Sequence, residues 1–217
     1  MKPTLYAHPF SSYSQKALIA LYENDTAFEY RKLGTPETDA ELAALWPIRR
    51  FPILVDSGRT VVEATIIIEH LQRFHPGAVA LIPAAPHAAL DVRTMDRFFD
   101  NYVMTPTQKL VGNALRPEAD RDAYGVAEAR TMLDGAYAWL DGVMAKREWA
   151  AGDDFSLADC AAAPSLFYAD WAHPIAASFA NLIAYRRRLL ARPSFARCVD
   201  EARYFRPYFP LGAPDRD

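Results

Sequence analysis

Over the first eighty residues the apolar positions change period several times, in segments too short for one long element. Runs of β-branched, aromatic and other apolar residues at 4–7, 28–33, 53–55 and 60–62 predict strands, and the stretches 12–23, 36–45 and 64–74, where apolar residues recur at helical spacing, predict helices. The order is β-α-β-α-β-β-α. Asp56, Ser57, Gly58 and Arg59 form the four-residue loop of a hairpin between the last two strands, because Asp, Ser and Gly favour turns for separate physical reasons. Residues 64–74 are apolar nearly all round their first turns, the pattern of a helix wedged between a sheet and a further layer.

From His75 to Ala89 the chain is rich in Pro and Ala, a composition that cannot continue a helix and offers few core residues. The linker is placed at 79–88, between a unit at 1–78 and one at 89–217. Beyond it the periodicity is helical throughout, at 88–113, 118–147, 156–171, 178–191 and 194–203, with Pro106 kinking or dividing the first of these. Ser156-Leu-Ala-Asp159 reads as a capping box in which Ser156 accepts from the third helical N–H and Asp159 reaches back to the N–H of Ser156. Its role is in folding, and removing Ser156 costs about 1 kcal/mol or more.

A chain of 217 residues is long enough for one domain or two small ones. A formal charge of -3 supplies no basic surplus, so neither nucleic acid nor an anionic membrane is expected as a partner. Charges interrupt every apolar stretch before the roughly 20 residues of a membrane span, and no signal segment is visible. Cys160 and Cys198 lie far apart without Cys-x-x-Cys spacing and read as buried or half-buried free thiols in a reducing cytosol. The five His residues are scattered and no group has metal-ligand spacing, so no metal is expected.

Candidate chemistry begins in the segment from Tyr6 to Leu21: a short strand, a turn at Pro9, then a helix whose mouth carries Ser11, Ser12 and Ser14. Helix N–H groups without partners and the positive end of the dipole make that mouth an anion site. Downstream come Arg49-Arg50-Phe51-Pro52 and, twelve residues after Phe51, Glu63-Ala64-Thr65. Together these segments resemble the thioredoxin-like domain of cytosolic glutathione transferases, of the serine-dependent kind typified by the tau, theta and zeta classes. With the linker and the helical second half, the resemblance covers essentially the whole chain. The implied fold is an α/β thioredoxin-like N-terminal domain followed by an all-α C-terminal domain.

The resemblance also implies roles. Phe51-Pro52 corresponds to the family's cis-proline dipeptide, whose first residue pairs through its backbone with the cysteine of glutathione. Glu63-Ala64 stands where the family has Glu-Ser, the acid facing the γ-glutamyl ammonium and the serine holding its carboxylate. Here the hydroxyl is missing, which forfeits about 1.5–3 kcal/mol unless water or Thr65 replaces it. Arg50 is the donor for the glycine carboxylate, with Arg49 as its rival. Ser11 is the catalytic residue, donating to the thiol so that it ionises; Ser12, which could instead cap the helix, is the runner-up, and Ser14 a third choice. Tyr6 falls inside the strand and reads as core. The electrophile pocket is expected from Phe10, Tyr13, Phe99, Tyr102, Pro106 and Trp171, and the aromatic tail from Arg203 to Pro210 either caps it or packs on the first domain.

On this reading the protein is a cytoplasmic, homodimeric glutathione S-transferase that presents the thiolate to a soft hydrophobic electrophile, as in detoxification, with glutathione as co-substrate and no cofactor. A zeta-like glutathione-dependent isomerase is an alternative, although it needs basic residues beyond Arg49 and Arg50. A non-catalytic binding or regulatory member is another, favoured by Ala64. No Cys at the first helix start speaks against a thiol-disulfide oxidoreductase, and the lack of a Gly-x-Ser-x-Gly elbow against a serine hydrolase.

Overall fold

The computed structural model describes residues 2–217. The first half builds a four-stranded sheet from β1 (Thr4–Ala7), β2 (Glu29–Lys32), β3 (Ile53–Asp56) and β4 (Arg59–Val62), in the order β2-β1-β3-β4. β1 and β2 run parallel through the crossover helix α1 (Ser12–Glu23), while β3 is antiparallel to both β1 and β4. Two further helices, α2 (Pro36–Leu45) and α3 (Ala64–Phe74), complete the βαβαββα order expected from the sequence. The β3–β4 loop is tighter than the expected four residues. Asp56 pairs with Arg59, leaving Ser57 and Gly58 as a two-residue turn with φ of 50° and 80°, the positive values that match the twist of a hairpin.

The second half is helical: α4 (Pro86–Phe98), α5 (Thr105–Ala114), α6 (Ala123–Met144), α7 (Leu157–Ala172), α8 (Ala180–Leu190) and α9 (Pro193–Ala202). Pro106 does divide the first predicted helix, through one π-helical turn at Phe99–Met104 between α4 and α5. A π turn widens the ladder at the place where a proline offers no N–H. The start of α6 lies later than expected because Asp122 caps it, its side chain accepting from Gly125 N–H at 2.8 Å.

The linker contributes more to the core than its composition suggests. Leu81 and Ile82 are buried. The Gln72 side-chain amide donates to Ile82 C=O and accepts from Ile82 N–H at 2.6 and 2.8 Å, and Asn24 serves Val79 in the same way. Two amides thus stand in for a strand partner.

Helix α1 is the centre of the molecule, packed against α3 on the sheet side and against α7 and α9 of the helical half. Its residues 14–21 are buried, including Lys16. Cys160 and Cys198 are buried free thiols. Among the described residues no helix is long and apolar enough to cross a membrane.

One sequence expectation fails here. Residues far apart in the chain, Asp56 at the end of β3 with His70 and His75 at the end of α3, converge to within 4.8 Å of one another through their ligand atoms. Helix α3 runs in the same direction as β3, so their far ends meet and sequence spacing concealed a group that could hold a metal ion.

Candidate functional site

The turn that presents Ser11 is held from three sides. Phe10 N–H donates to His8 Nδ1, His8 N–H donates to Ser14 Oγ, and Gln15 Nε2 donates to Pro9 C=O at 2.9 Å and to Tyr168 Oη at 3.1 Å. Burial lowers the His8 pKa, so the ring is neutral and serves as an acceptor. Ser11 is extended, with φ −98° and ψ 127°, and its Oγ accepts from Ser14 N–H at 3.3 Å. Ser11, not Ser12, is therefore the N-cap of α1, and its hydroxyl proton remains free to donate. Ser14 is fully buried with its oxygen engaged by His8.

Ser11 opens onto a cleft of about 410 Å³ between the two halves. Arg49, Arg50, Phe51, Pro52, Glu63 and Ala64 line the same cleft. The Phe51–Pro52 peptide is cis, and Phe51 lies just outside the ladder, which begins at Ile53. Glu63 holds φ at 70°, a left-handed value, and makes no capping hydrogen bond, so the first N–H groups of α3 lack a side-chain cap. Both arginines are exposed in the cleft wall.

Thr65 cannot stand in for the missing serine hydroxyl. Its Oγ1 accepts from Lys16 Nζ at 2.9 Å and from Arg97 at 2.5 Å, and donates to Asp96 at 3.0 Å. It belongs to a buried charge network in which Lys16 also pairs with Asp96 at 2.6 Å and Asp100 at 2.8 Å, while Arg97 clasps both carboxylates. Burial raises the Asp100 pKa, against the opposing influence of Lys16.

The helical wall of the cleft is polar, consisting of Tyr13 with Arg97, Asp100, Asn101 and Gln108; Trp46 and Val62 add apolar surface from the sheet side. Burial, followed by the Asp100 charge, pushes the Tyr13 phenol up to about 12, so it is a hydrogen-bond donor at neutral pH. Of the six aromatic and proline candidates for the electrophile pocket, Tyr13 alone lines this cleft. Phe99 is fully buried and Pro106 is buried, because the π turn rotates both into the helical core. Tyr102 points outward, half exposed beside Phe98. Phe10 and Trp171 pack with Tyr168 and Phe209 under the C-terminal tail, whose Phe205 also lies 4.6 Å from the His8 ring. The aromatic tail thus packs on the β1–α1 turn. Tyr6 is half-buried against the second, smaller core beside Leu33, Leu42 and Ile53.

Arg97, Asp100, Asn101 and Gln108 escaped the sequence reading. A signal existed, since 97, 101 and 108 form a polar stripe at helical spacing on a segment already read as helix. Lys16 carried one too, as a charge directly before the apolar run Ala17-Leu-Ile-Ala-Leu21, in a helix that such a run buries.

Residues 5–78 match the glutathione S-transferase N-terminal domain and residues 102–193 the glutathione S-transferase C-terminal domain. A stringent starvation protein A homolog from Coxiella burnetii is 26% identical over 204 residues, covering 92% of either chain. A probable maleylacetoacetate isomerase from Caenorhabditis elegans is 26% identical over 173 residues, covering 78% of this chain and 79% of its own. Among solved structures, a glutathione S-transferase from Methylobacterium radiotolerans in complex with glutathione sulfonate is 28% identical, with a TM-score of 0.80 over 92% of this chain and 95% of that one. Matched in order by both domains and sharing its fold with such a structure along nearly its whole length, the chain belongs to the cytosolic glutathione S-transferase family.

Proposed function

We propose that the protein is a glutathione transferase in which Ser11 donates a hydrogen bond to the glutathione sulfur and holds it as thiolate. The observation that carries this reading is the convergence in one cleft of the Ser11 hydroxyl, the Phe51 backbone, Glu63 with the start of α3, and a pair of arginines. These are the unlike patches that a tripeptide thiol with an ammonium and two carboxylates requires. A free thiol has a pKa of about 8.5, so only a few per cent is ionised at neutral pH; two units of lowering, about 2.7 kcal/mol, make thiolate the main species. A hydroxyl donor and the positive end of α1 supply stabilisation of that kind, and the cleft supplies proximity. The protein acts as a cytosolic homodimer on this reading, which sedimentation tests directly.

The electrophile is polar rather than purely hydrophobic, because the wall opposite the glutathione patches carries Arg97, Asn101 and Gln108 and, Tyr13 apart, the expected aromatic residues lie elsewhere. That same wall favours a second reading, a glutathione-dependent isomerase acting on an anionic substrate. Arg97, with half of its side chain exposed, adds to Arg49 and Arg50 the further basic residue that this chemistry needs. The isomerase named among the relatives supports this reading too.

Calorimetric titration with glutathione, combined with a pH titration of the ultraviolet thiolate band, tests the first step. Binding with a depressed thiol pKa is the expected result, and Ala64→Ser tightens it by roughly tenfold or more. Absence of binding in both proteins would overturn the glutathione reading. With glutathione bound, a carboxylate-bearing and an uncharged electrophile of equal reactivity then separate polar from hydrophobic acceptors, and conversion of a cis-enoyl dicarboxylate without consumption of glutathione identifies the isomerase.

A further inference from the structure

On the sheet's far end from the cleft, Asp56 Oδ2 is approached by two imidazole nitrogens at once, His70 Nε2 and His75 Nε2, each at 2.8 Å. Four residues of extended chain separate Asp56 from Pro52, about 13 Å, so this group is distinct from the glutathione cleft. It takes no part in the chemistry proposed above. We propose that Asp56, His70 and His75 form a binding site for a divalent transition-metal ion of the zinc type, with a coordination position left to water.

The donor set selects the ion. Two imidazole nitrogens and one carboxylate oxygen suit zinc and its neighbours cobalt, nickel, copper and ferrous iron; calcium and magnesium prefer an all-oxygen shell. Bonds of roughly 2.0–2.1 Å in a tetrahedral arrangement place neighbouring ligand atoms about 3.3 Å apart. The nitrogen-to-oxygen contacts must therefore open by about half an ångström, a small side-chain rotation. A carboxylate oxygen can only accept, so each Nε2 now directs an N–H at Asp56. An ion entering between the three takes the place of those protons, as metal binding to histidine requires.

The ligands are also fixed in place before any ion arrives. Asp56 ends β3 and is itself steadied by Ser57, whose hydroxyl donates to Oδ1 at 3.2 Å. His70 lies within α3, its ring packed 4.6 Å from that of Phe74, and His75 is the helix C-cap. The side chains of Asp56 and His70 are each 9% exposed, while His75 is 26% exposed. Two ligands are thus sequestered and the third faces solvent, which gives the ion an entry path and leaves room for water as the fourth ligand. With ligands on both β3 and α3, the ion clips the end of the helix to the sheet, and its binding stabilises the fold.

The test uses the tag-free full chain, freed of metal by chelation and dialysis and then titrated with Co²⁺, followed by Zn²⁺. One equivalent of Co²⁺ binds with the visible bands of a four- or five-coordinate site, Zn²⁺ abolishes those bands, and the melting temperature rises with Zn²⁺. His75→Gln, at the most exposed ligand, weakens Co²⁺ binding by more than about tenfold and leaves the circular dichroism of the metal-free protein unchanged. Asp56→Asn does the same if it folds; His75→Gln decides the matter if it does not. No stoichiometric Co²⁺ binding by the wild type, or binding that survives His75→Gln undiminished, overturns the proposal and leaves the group as a hydrogen-bonded clasp.

Discussion

The Lys16 ammonium lies 2.6 Å from a carboxylate oxygen of Asp96, and each side chain is only 1% exposed. Lys16 belongs to α1 and Asp96 to α4, so the pair ties the sheet-bearing half to the helical half directly behind the cleft. Removing one partner of a buried ion pair strands the other charge, which costs about 3–5 kcal/mol. Lys16→Met strands two carboxylates, Asp96 and Asp100, with Arg97 as the remaining cation. The pH dependence has a definite sign. Burial already raises the Asp100 pKa above 3.8 and Lys16 opposes that rise, so its loss raises the pKa further. A raised folded-state pKa contributes stability that is fully present below the unfolded value and lost as pH rises through the folded one. Urea denaturation of Lys16→Met therefore shows a large deficit at pH 7 that shrinks toward pH 5; an equal deficit at both values contradicts the account.

Ser11 has two duties that substitution can separate. As the N-cap of α1 it accepts from Ser14 N–H, and replacement by Ala costs about 0.5–2 kcal/mol, but replacement by Gly only a few tenths. As the proposed thiol donor its hydroxyl is lost equally in both variants. Ser11→Ala and Ser11→Gly thus differ in stability but share the same rise in the pKa of bound glutathione and the same fall in kcat/KM, at least roughly tenfold at neutral pH. If Ser11→Gly retains the depressed thiol pKa, the N–H groups of α1 activate the sulfur without the hydroxyl.

The backbone plan was legible in the sequence because local signals dictate it. Period, turn residues and caps set β1 to α3, and Pro106 marked the break between α4 and α5. What escaped was fixed by tertiary placement. Phe99 and Trp171 have the composition of a pocket wall, but which face of a helix meets a cleft depends on the π turn and on where the tail lies. Asp56, His70 and His75 carry no pattern along the chain because β3 and α3, which run in the same direction, bring their C-terminal ends together. Thr65, one residue past Ala64, looked available for a ligand until Lys16 and Arg97 claimed it from other helices.

Asp159 is a buried, heavily served carboxylate of the helical half. Burial raises its pKa while four donors oppose the rise: Ala150 N–H and Ser156 N–H at 2.9 Å, Ser156 Oγ at 3.0 Å and Tyr185 Oη at 2.6 Å. The Ser156 hydroxyl donates to Asp159, so the expected box forms with its hydroxyl turned to the carboxylate. Ser156→Ala removes one charge-assisted hydrogen bond and costs about 1–2 kcal/mol. Asp159→Ala leaves buried donors on Ala150, Ser156 and Tyr185 without an acceptor and costs at least about 3 kcal/mol. Chemical denaturation ranks the two, and comparable losses would show that the carboxylate acts through Ser156 alone.

Glu63 combines an unfavourable backbone with a place in the wall of the cleft. Its φ of 70° and ψ of 123° are rarely adopted by a residue with a Cβ, a strain of about 1–3 kcal/mol. Its side chain is exposed at the cleft and makes no capping bond, so nothing local offsets that strain. Glu63→Gly relieves the strain but gives the unfolded chain more freedom, which takes back about 0.4–1 kcal/mol; the net expectation is a gain of about 1 kcal/mol in denaturation. The same variant loses the carboxylate that would meet the γ-glutamyl ammonium, so glutathione affinity falls by roughly tenfold or more in calorimetry. Glu63→Ala is the control, with the same loss of affinity and no gain in stability, because alanine keeps the Cβ. A protein that becomes more stable as it loses its ligand locates the strain at the binding site. If Glu63→Gly is neutral in stability and binds glutathione normally, the backbone conformation is incidental and Glu63 is a solvated charge.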